Sequence, residues 1–211
     1  MDKQVSKRTL YRLPVYLSLL QEKQQEGVEY ISATTIANLL GLNHVQVRKD
    51  LSCASSAGRP KIGYATEVLI RDLRSFLDYN NKKNAVIVGA GDLGKALLGY
   101  NGFNSYGLNI VAAFDNNTEL DGTSVKGKPI FNMEKLPRVM ENMNVYIGII
   151  TTPAHTAQAV AELLVKNGVL AIWNFAPTSL KVPENIIVQN ENMATSLAVL
   201  SSKLIAKLEN E

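Results

Sequence analysis

The sequence has few residues of the kinds that catalysis, metal binding and disulfide formation use. Its 211 residues include one cysteine, Cys53, and two histidines, His44 and His155. A single cysteine excludes an internal disulfide, and a free thiol suits the reducing cytoplasm, which is the expected location. No apolar run approaches the roughly 20 residues of a membrane span, and no apolar signal-peptide segment follows the charged N-terminus. Neither a metal site nor a membrane partner is expected.

An excess of positive charge is also nearly absent, and the small surplus is confined to the N-terminal part. Residues 1–80 contain 11 Lys and Arg against 8 Asp and Glu, whereas residues 81–211 contain 11 of each. The surplus permits nucleic-acid binding by the N-terminal part but does not establish it. A polar segment, Tyr79–Asn84, separates the two parts, and the chain is long enough for each to have its own core.

The most informative segment is Gly89-Ala90-Gly91-Asp92-Leu93-Gly94, because of what lies on either side of it. The β-branched run Asn84–Val88 predicts a buried parallel strand, and Lys95–Leu98 predicts a helix. A second apolar run, Asn109–Phe114, ends in Asp115, about 20 residues beyond the turn. Strand, glycine turn, helix, strand and terminal acid form the dinucleotide-binding fingerprint, which is far more specific than a bare glycine motif.

Each residue of this fingerprint has a physical role. Gly89 permits the tight turn, Gly91 lets the backbone approach a pyrophosphate, and Gly94 allows the helix to pack closely on the strand. The helix N-terminus offers free N–H groups to the phosphates. Asp115 can accept hydrogen bonds from both adenosine-ribose hydroxyls and would repel a 2′-phosphate, which favours NAD(H) over NADP(H). The alternative is a glycine turn in an α/β domain that binds no nucleotide.

The N-terminal part predicts several helices and a hairpin. Ser32 is a candidate N-cap for a short helix that Gly41 ends, and Asn43 caps the next helix. Two helices joined in this way form a helix-turn-helix. The Gly- and Pro-containing segment 55–64 predicts a basic hairpin, so the whole is a winged helix. The first helix of the chain is expected to carry Pro14 in its first turn.

The helix after Asn43, over residues 44–54, has two faces when residues advance by 100° each. Val47, Leu51 and Ala54 are expected to face the core, and Asp50 to orient an Arg or Lys within the domain. The outer face suits a major groove, where Lys49 can donate to guanine, Gln46 can bond adenine and Val45 can touch a thymine methyl.

Arg48 lies on the flank of this helix and is expected to contact phosphate, while the hairpin reaches a minor groove or the backbone. The residues predicted to contact DNA are His44, Val45, Gln46, Arg48, Lys49, Ser52, Arg59, Lys61, Gly63 and Tyr64. The alternative is a small helical interaction module whose basic residues are merely solvated.

The C-terminal part continues the alternation of strands and helices. Strands are predicted at 145–150, 170–175 and 185–188, with a helix over about 154–167. The final segment places apolar residues at helical spacing, namely Met193, Leu197, Leu200, Leu204 and Leu208. This face either folds back on its own sheet or packs on a partner subunit, and we favour the partner.

Several short segments together carry a family resemblance. They are Arg12–Pro14, Gln46–Leu51, Gly63–Tyr64, Val86–Gly94, Tyr100–Phe103, Phe114–Asp115, Thr151–Pro153 and Asn174–Pro177. In this order they resemble the Rex family of bacterial redox-sensing transcriptional repressors, nearly end to end. The resemblance implies a homodimer that exchanges its last helix, and repression that NADH relieves. Beyond the glycine turn, the predicted cofactor residues are Tyr100, Asp115, Asn116, Thr151, Thr152, Pro153, Asn174, Phe175, Ala176 and Pro177.

The expected fold class is therefore α/β. Residues 1–80 are expected to form a winged-helix DNA-binding domain, 84–190 a Rossmann NAD(H)-binding domain and 191–211 a dimerisation helix. The leading hypothesis is a dimeric repressor that binds a palindromic operator, and whose two recognition helices are misaligned when NADH binds.

Two features depart from the family pattern. Ser18 and Asn192 stand where some relatives have an arginine and an aspartate that exchange partners with the redox state. The nicotinamide charge must then be sensed by another arrangement. The hairpin carries Arg59-Pro60-Lys61 in place of a more glycine-rich turn.

Two other function classes remain open from the residues. One is a small NAD-dependent oxidoreductase using His155 or Tyr100, which is disfavoured because the nucleotide fold consumes residues 84–190 and leaves no substrate domain. The other is thiol-based sensing through Cys53, which lacks a clear resolving cysteine. We therefore expect a protein without a catalytic residue.

Overall fold

The structure is a computed structural model that describes residues 5–209, except for the side chain of residue 193. The chain divides into two compact units, Met1–Asn81 and Lys82–Glu211. Together they combine helices with a mostly parallel sheet, which is the predicted α/β class. None of the described helices has the length and apolarity that a membrane span needs. Within the same residues, no three His, Cys, Asp or Glu side chains are grouped so as to hold a metal ion.

Short helices and one small antiparallel sheet form the N-terminal unit. Its elements are α1 (Lys7–Gln25), β1 (Tyr30–Ile31), α2 (Ala33–Leu40), α3 (His44–Ala54), β2 (Tyr64–Ala65) and α4 (Thr66–Phe76). Strand β2 follows the predicted hairpin, residues 55–64, which we call the wing. It pairs with β1 in an antiparallel sheet. The core lies between the helices and is built from fully buried side chains that include Leu13, Tyr16, Val47, Leu51 and Leu69.

The predicted caps of the helix-turn-helix are confirmed. The Ser32 side chain accepts a hydrogen bond from the Thr35 N–H, and Asn43 accepts from the N–H groups of the first turn of α3. Gly41 adopts a left-handed conformation with φ of 64° and ends α2. These local interactions fix where α3 begins, and therefore which of its residues face outward.

The prediction for Pro14 is wrong. Helix α1 begins at Lys7, where the Ser6 side chain caps it, so Pro14 lies inside the helix rather than in its first turn. A proline there cannot donate to the carbonyl four residues earlier. The helix continues because its buried face, with Leu13, Tyr16 and Leu17, packs on the core.

The C-terminal unit contains a seven-stranded sheet with helices between its strands. Its elements are β3 (Lys83–Val88), α5 (Asp92–Gly99), β4 (Leu108–Asp115), β5 (Ser124–Val125), β6 (Lys128–Asn132), α6 (Leu136–Met143), β7 (Val145–Ile150), α7 (Ala154–Lys166), β8 (Ala171–Asn174), β9 (Ile187–Asn190) and α8 (Met193–Leu208). The strand order is β5-β6-β4-β3-β7-β8-β9, and every pair except β5–β6 is parallel.

This order reverses direction between β3 and β7, as in a doubly wound dinucleotide-binding fold. The chain adds β4 and β6 on one side of β3, then returns to add β7, β8 and β9 on the other. The carboxyl ends of β3 and β7 therefore meet at the switch point, where such folds bind their ligands.

The last two strands of the sheet differ from their predicted bounds, and β5 and β6 were not predicted. The last strand spans Ile187–Asn190 instead of 185–188, and the strand expected at 170–175 is shorter, Ala171–Asn174. Strand β6 carries Pro129 and only two large apolar residues, so it lacks the β-branched run that marked the other strands.

The apolar face of α8 is not covered by any described residue of the chain. Leu197, Leu200, Leu204 and Leu208 are between 55% and 64% exposed. The possibility that this face folds back on its own sheet is therefore excluded for these residues, whereas the side chain of Met193 lies outside the described residues.

Candidate functional site

The glycine-rich turn joins β3 to α5 with three distinct glycine environments. Gly89 has φ of 103°, and a Cβ built on it would lie 2.9 Å from the carbonyl carbon of Thr151. A Cβ on Gly94 would overlap the carbonyl oxygen of Gly89, so α5 packs against the turn only because this residue has no side chain. A Cβ on Gly91 would meet nothing within 4 Å. Gly89 and Gly94 therefore shape the turn, whereas Gly91 leaves open space at the N-terminus of α5.

Asp115 ends β4 beside this turn. One carboxylate oxygen accepts the backbone N–H of Ala90 at 2.6 Å, and the other accepts the backbone N–H of Asn117 at 2.8 Å. Two backbone donors fix the carboxylate in one orientation, and each oxygen retains a further lone pair for a ligand hydroxyl.

A cavity of about 520 Å³ lies at the switch point. It is lined by Val88, Gly89, Gly91, Asp115, Asn116, Met133, Thr151, Thr152, Pro153, Thr156 and Val160. The Thr152 hydroxyl is buried and has no hydrogen-bond partner among the described residues. An orphaned hydroxyl, free helix N–H groups and a fixed carboxylate are the groups that a nucleotide diphosphate with its ribose would satisfy, so the residues present fit a dinucleotide.

Asn174 is not among the residues that line this cavity, and its predicted role in binding the cofactor stays a prediction. Its side chain is fully buried, and its amide donates to Thr178 O at 2.9 Å and to Asn190 Oδ1 at 2.8 Å while its oxygen accepts the Ala176 N–H. Because every polar atom of the side chain is bonded within the chain, Asn174 holds the loop after β8. Ala176 is also buried and shapes the same loop.

Two residues of the predicted glycine-rich segment, Ala90 and Gly94, are also buried. They shape the turn and offer little surface to a ligand. Asp92 and Leu93 begin α5 but do not line the cavity, and Pro177 is exposed away from it.

Tyr100 also lies outside the cavity and belongs to a row of aromatic rings. It packs edge-on against Phe103 at 4.9 Å between ring centroids, Phe103 contacts Trp173 at 5.7 Å, and Trp173 contacts Phe175 at 4.8 Å. Tyr100 is 54% exposed at one end of the row. An exposed ring of this kind is able to stack on a planar ligand.

In the N-terminal unit, α3 has the two faces that the sequence predicted. Val47 and Leu51 are fully buried, and Val45, Gln46 and Lys49 are exposed on the opposite side. His44, Arg48 and Ser52 are exposed as well. Cys53 is only half-buried, and its thiol donates weakly to Lys49 O at 3.4 Å. The outer face therefore combines an apolar, an amide and two cationic side chains.

Asp50 lies on α3 beneath this face, with a side chain that is 1% exposed. Arg12 donates to it twice, from Nε at 2.6 Å and from Nη2 at 2.9 Å. Three more side chains donate hydrogen bonds to the Asp50 carboxylate, namely Tyr16 Oη at 2.8 Å, Gln46 Nε2 at 2.9 Å and Thr9 Oγ1 at 3.1 Å. The expectation that Asp50 orients an arginine within the domain is confirmed.

The network shifts the protonation equilibria of its members. Burial raises the pKa of Asp50, but the hydrogen bonds from Arg12, Tyr16, Gln46 and Thr9 outweigh burial and hold that pKa below its ordinary value of 3.8. Burial, and then the bond to Asp50, raise the pKa of Tyr16 to about 12. Asp50 is therefore ionised at neutral pH.

The wing places two of its four predicted residues at the surface. Arg59 and Lys61 are exposed, and they line a groove of about 510 Å³ together with Arg48 and the first turn of α2. Tyr64 is only 8% exposed, and a Cβ on Gly63 would lie 2.4 Å from the backbone oxygen of Ile31. Both residues therefore shape the wing, but they also line the same groove as Arg59 and Lys61, and their predicted contact with DNA stays a prediction.

Comparison with known proteins gives the same division of the chain. A family model described as "Putative DNA-binding protein N-terminus" matches residues 4–52, and one described as "CoA binding domain" matches residues 80–178. The "Redox-sensing transcriptional repressor Rex" of Bacteroides fragilis is 40% identical over 95% of this chain and 91% of that protein. The chain belongs to the Rex family. The protein of the same name from Treponema denticola is 41% identical over 93% of each chain.

Solved structures agree with this Rex assignment. RSP in complex with β-NAD⁺ and operator DNA is 32% identical, with a TM-score of 0.89 over 100% of this chain and 99% of that chain. RSP in complex with β-NADH has a TM-score of 0.88 at the same identity, over 98% of this chain and 97% of that chain. The Rex resemblance drawn from the short motifs is confirmed.

In this Rex chain, sequence reasoning missed four residues of the cavity, Val88, Met133, Thr156 and Val160. Thr156 and Val160 are four residues apart on α7, so helical spacing after Pro153 was a usable signal. Met133 follows β6, and without that strand nothing in the sequence placed it at the sheet edge.

Proposed function

We propose that this Rex-family chain is a cytoplasmic, homodimeric transcriptional repressor that binds a palindromic operator and is released from it by NADH. The observation that carries the proposal is that one chain combines a dinucleotide-shaped cavity with an exposed, cationic outer face of α3. The chain's relative RSP is described both with β-NAD⁺ and operator DNA and with β-NADH. We assign no catalytic residue.

In the cavity, we expect the free N–H groups at the start of α5, beside Gly91, to bind the pyrophosphate. Asp115 would accept from the adenosine ribose, and Thr152 would find a partner for its buried hydroxyl. Coenzyme A shares the adenosine diphosphate of NAD but carries a 3′-phosphate on that ribose. Because Asp115 is a fixed anion at this point, it favours the unphosphorylated ribose of NAD(H) over coenzyme A and NADP(H).

Sensing of the nicotinamide charge needs an arrangement other than an arginine–aspartate exchange. Position 18 is an exposed serine, and the Asn192 side chain caps α8 by accepting the Thr195 N–H at 3.2 Å. Tyr100 offers an exposed ring at the end of the aromatic row. We therefore assign it to the nicotinamide, whose ring loses its positive charge and its planarity on reduction.

The dimer proposal is supported by exposed apolar side chains on two elements of the C-terminal unit. One is the α8 face formed by Leu197, Leu200, Leu204 and Leu208. The other is strand β9, where Ile187 is 70% exposed and lies in register with the half-buried Ile147 and Ala171 on one face of the sheet. Exposed apolar surfaces of this kind mark protein interfaces.

The dimer is tested by light scattering on Leu200→Glu. We expect a charge on the apolar face to give a monomer. Ser202→Glu is the matched control, because it lies on the opposite side of α8 at 100° per residue and should leave the dimer intact. A Leu200→Glu protein that remains a dimer would contradict the assigned interface.

The repressor proposal is tested by gel shifts on promoter DNA from the organism that encodes this chain, with NAD⁺ and NADH titrated in parallel. We expect NADH to weaken operator binding by about 5- to 150-fold, the usual range of coupling between two sites. Equal effects of NAD⁺ and NADH, or turnover of NADH with carbonyl compounds, would contradict it.

A further inference from the structure

Gln46 is held by Asp50 in one orientation of its side-chain amide. Gln46 Nε2 donates to Asp50 Oδ1 at 2.9 Å, within the same turn of α3. Gln46 is otherwise exposed on the outer face of the helix. An amide that faces an ionised carboxylate must present its NH₂ group, because its oxygen would be repelled. The carbonyl oxygen of Gln46 therefore points away from Asp50.

Asp50 is itself immobile and remains charged. Both its oxygens are occupied, Oδ2 by Arg12 and Tyr16, and Oδ1 by Arg12, Thr9 and Gln46. Its partners come from α1 as well as from α3, so a rotation of the carboxylate would break bonds to two helices. A carboxylate held in this way presents Oδ1 to the Gln46 side chain at a fixed position, where it accepts from the amide N–H and repels the amide oxygen.

We propose, on the basis of the DNA-binding function proposed above, that Asp50 is a positioning residue that makes Gln46 an acceptor toward the DNA. The exposed Gln46 oxygen then recognises the base-pair edge that carries an exocyclic amino group in the major groove, adenine N6 or cytosine N4. The second N–H of the amide is free to donate to adenine N7, so adenine satisfies both groups. In this bidentate pose guanine is disfavoured, because its O6 would face the Gln46 oxygen at the place where adenine N6 donates.

The fixed orientation of the Gln46 amide affects the choice of base more than the overall affinity for DNA. An unrestrained glutamine can turn either its oxygen or its NH₂ group outward, so it tolerates both amino and carbonyl edges. The fixed amide excludes one of these choices. A bidentate contact typically discriminates between bases by about 5- to 150-fold.

The test is to select duplexes from a random library with the full-length protein and with two variants. Wild type should select a palindromic site. Gln46→Met should lose base preference at one base pair in each half-site. Asp50→Asn should lose about tenfold of its preference at the same pair, with other positions unchanged, because its side-chain NH₂ group allows the Gln46 amide to turn over.

Asp72→Asn is the matched control, since Asp72 accepts from Ser55 Oγ at 2.6 Å in the same unit and does not touch Gln46. It should retain the wild-type preference at every position. A purely structural role for Asp50 would weaken binding to all duplexes alike and leave the preferences intact, and that result would overturn the proposal.

A second measurement needs no variant of Asp50. The adenine of the Gln46-dependent pair is replaced by purine, or the cytosine by 2-pyrimidinone, so that only the amino group is removed. Wild type should bind this duplex about tenfold more weakly, and Gln46→Met should bind it as well as the parent duplex. Equal binding by wild type would overturn the proposal, whereas the absence of any palindromic site for wild type would contradict the repressor function itself.

Discussion

The carboxylate of Asp115 accepts a hydrogen bond from the backbone N–H of Ala90, with 2.6 Å between Asp115 Oδ2 and the Ala90 nitrogen. This bond ties the end of β4 to the glycine-rich turn that follows the neighbouring strand β3. The residue expected to recognise the ribose is thereby fixed against the segment expected to bind the pyrophosphate. The two parts of a nucleotide site are preorganised by one contact.

Replacing Asp115 by asparagine should therefore weaken NAD⁺ binding and reduce the discrimination against NADP⁺. We expect a loss of about tenfold in NAD⁺ affinity, because a charge-assisted hydrogen bond is replaced by a neutral one. Discrimination falls because the anion that repels the 2′-phosphate is gone. Titration calorimetry with both nucleotides measures the two effects.

Asp121→Asn is a suitable control, because Asp121 pairs with Lys135 at 2.7 Å in the same unit and does not line the cavity. It should bind both nucleotides as wild type does. An Asp115→Asn protein with unchanged affinity for both would remove Asp115 from the ribose site.

Gly91→Ala and Gly94→Ala should separate the binding and folding roles of the glycine turn. A Cβ on Gly94 overlaps the Gly89 carbonyl oxygen, so alanine there should destabilise the C-terminal unit by about 1–3 kcal/mol. A Cβ on Gly91 meets nothing in the protein, so alanine should leave the unfolding midpoint nearly unchanged while NAD⁺ affinity falls. Urea unfolding and calorimetry on both variants make the comparison. Equal losses of stability would show that the open space at Gly91 is not kept for a ligand.

Asp50 should make the stability of the N-terminal unit depend on pH in the acid range. Its folded pKa is lowered from 3.8, so it contributes stability above that pH, which is lost as the pH falls through the folded pKa. Breaking a buried ion pair typically costs about 3–5 kcal/mol. We therefore expect the free energy of unfolding of Asp50→Asn at pH 7 to be lower than that of wild type by about 3 kcal/mol. The difference between wild type and variant should shrink below pH 3.8. Urea unfolding of both proteins from pH 7 down to the lowest pH at which they remain folded measures this difference. A difference in unfolding free energy that does not change with pH would contradict the assigned ion pair.

Lys61→Gly should raise stability and lower DNA affinity at the same time. Lys61 occupies a left-handed conformation with φ of 67°, in the turn where Ile62 N–H donates to Arg59 O. Glycine removes about 1 kcal/mol of backbone strain at such a position and also removes an exposed charge. We expect a slightly higher unfolding midpoint, weaker operator binding and a shallower dependence of binding on salt. Unchanged DNA affinity would exclude Lys61 from the interface.

The features predicted correctly from the sequence depend on neighbours in the chain. The caps at Ser32 and Asn43, the left-handed Gly41 and the strand–turn–helix around Gly89 are each determined within a few residues. The outer face of α3 also follows from its own periodicity. Because these features are local, they are sufficient to locate both candidate sites.

What the sequence did not predict in the candidate sites depends on partners that are distant along the chain. Asn174 ends a strand as a ligand-binding residue would, but Asn190, 16 residues away, accepts from its amide. Tyr64 lies in a basic hairpin, and the sequence did not indicate that the fold leaves only 8% of it exposed. The sequence suggested a cationic partner for Asp50 but not its other hydrogen-bond donors, among them Thr9, 41 residues away. It also did not indicate that Asp50 orients Gln46.

The most direct measurement of the central claim is the NADH affinity of the full-length protein with and without saturating operator duplex, followed by the fluorescence of the bound nicotinamide. Linkage requires operator DNA to weaken NADH binding by the same factor by which NADH weakens operator binding. We expect that factor to lie between about 5 and 150. An NADH affinity that is the same in the presence and absence of operator would contradict coupling between the two sites.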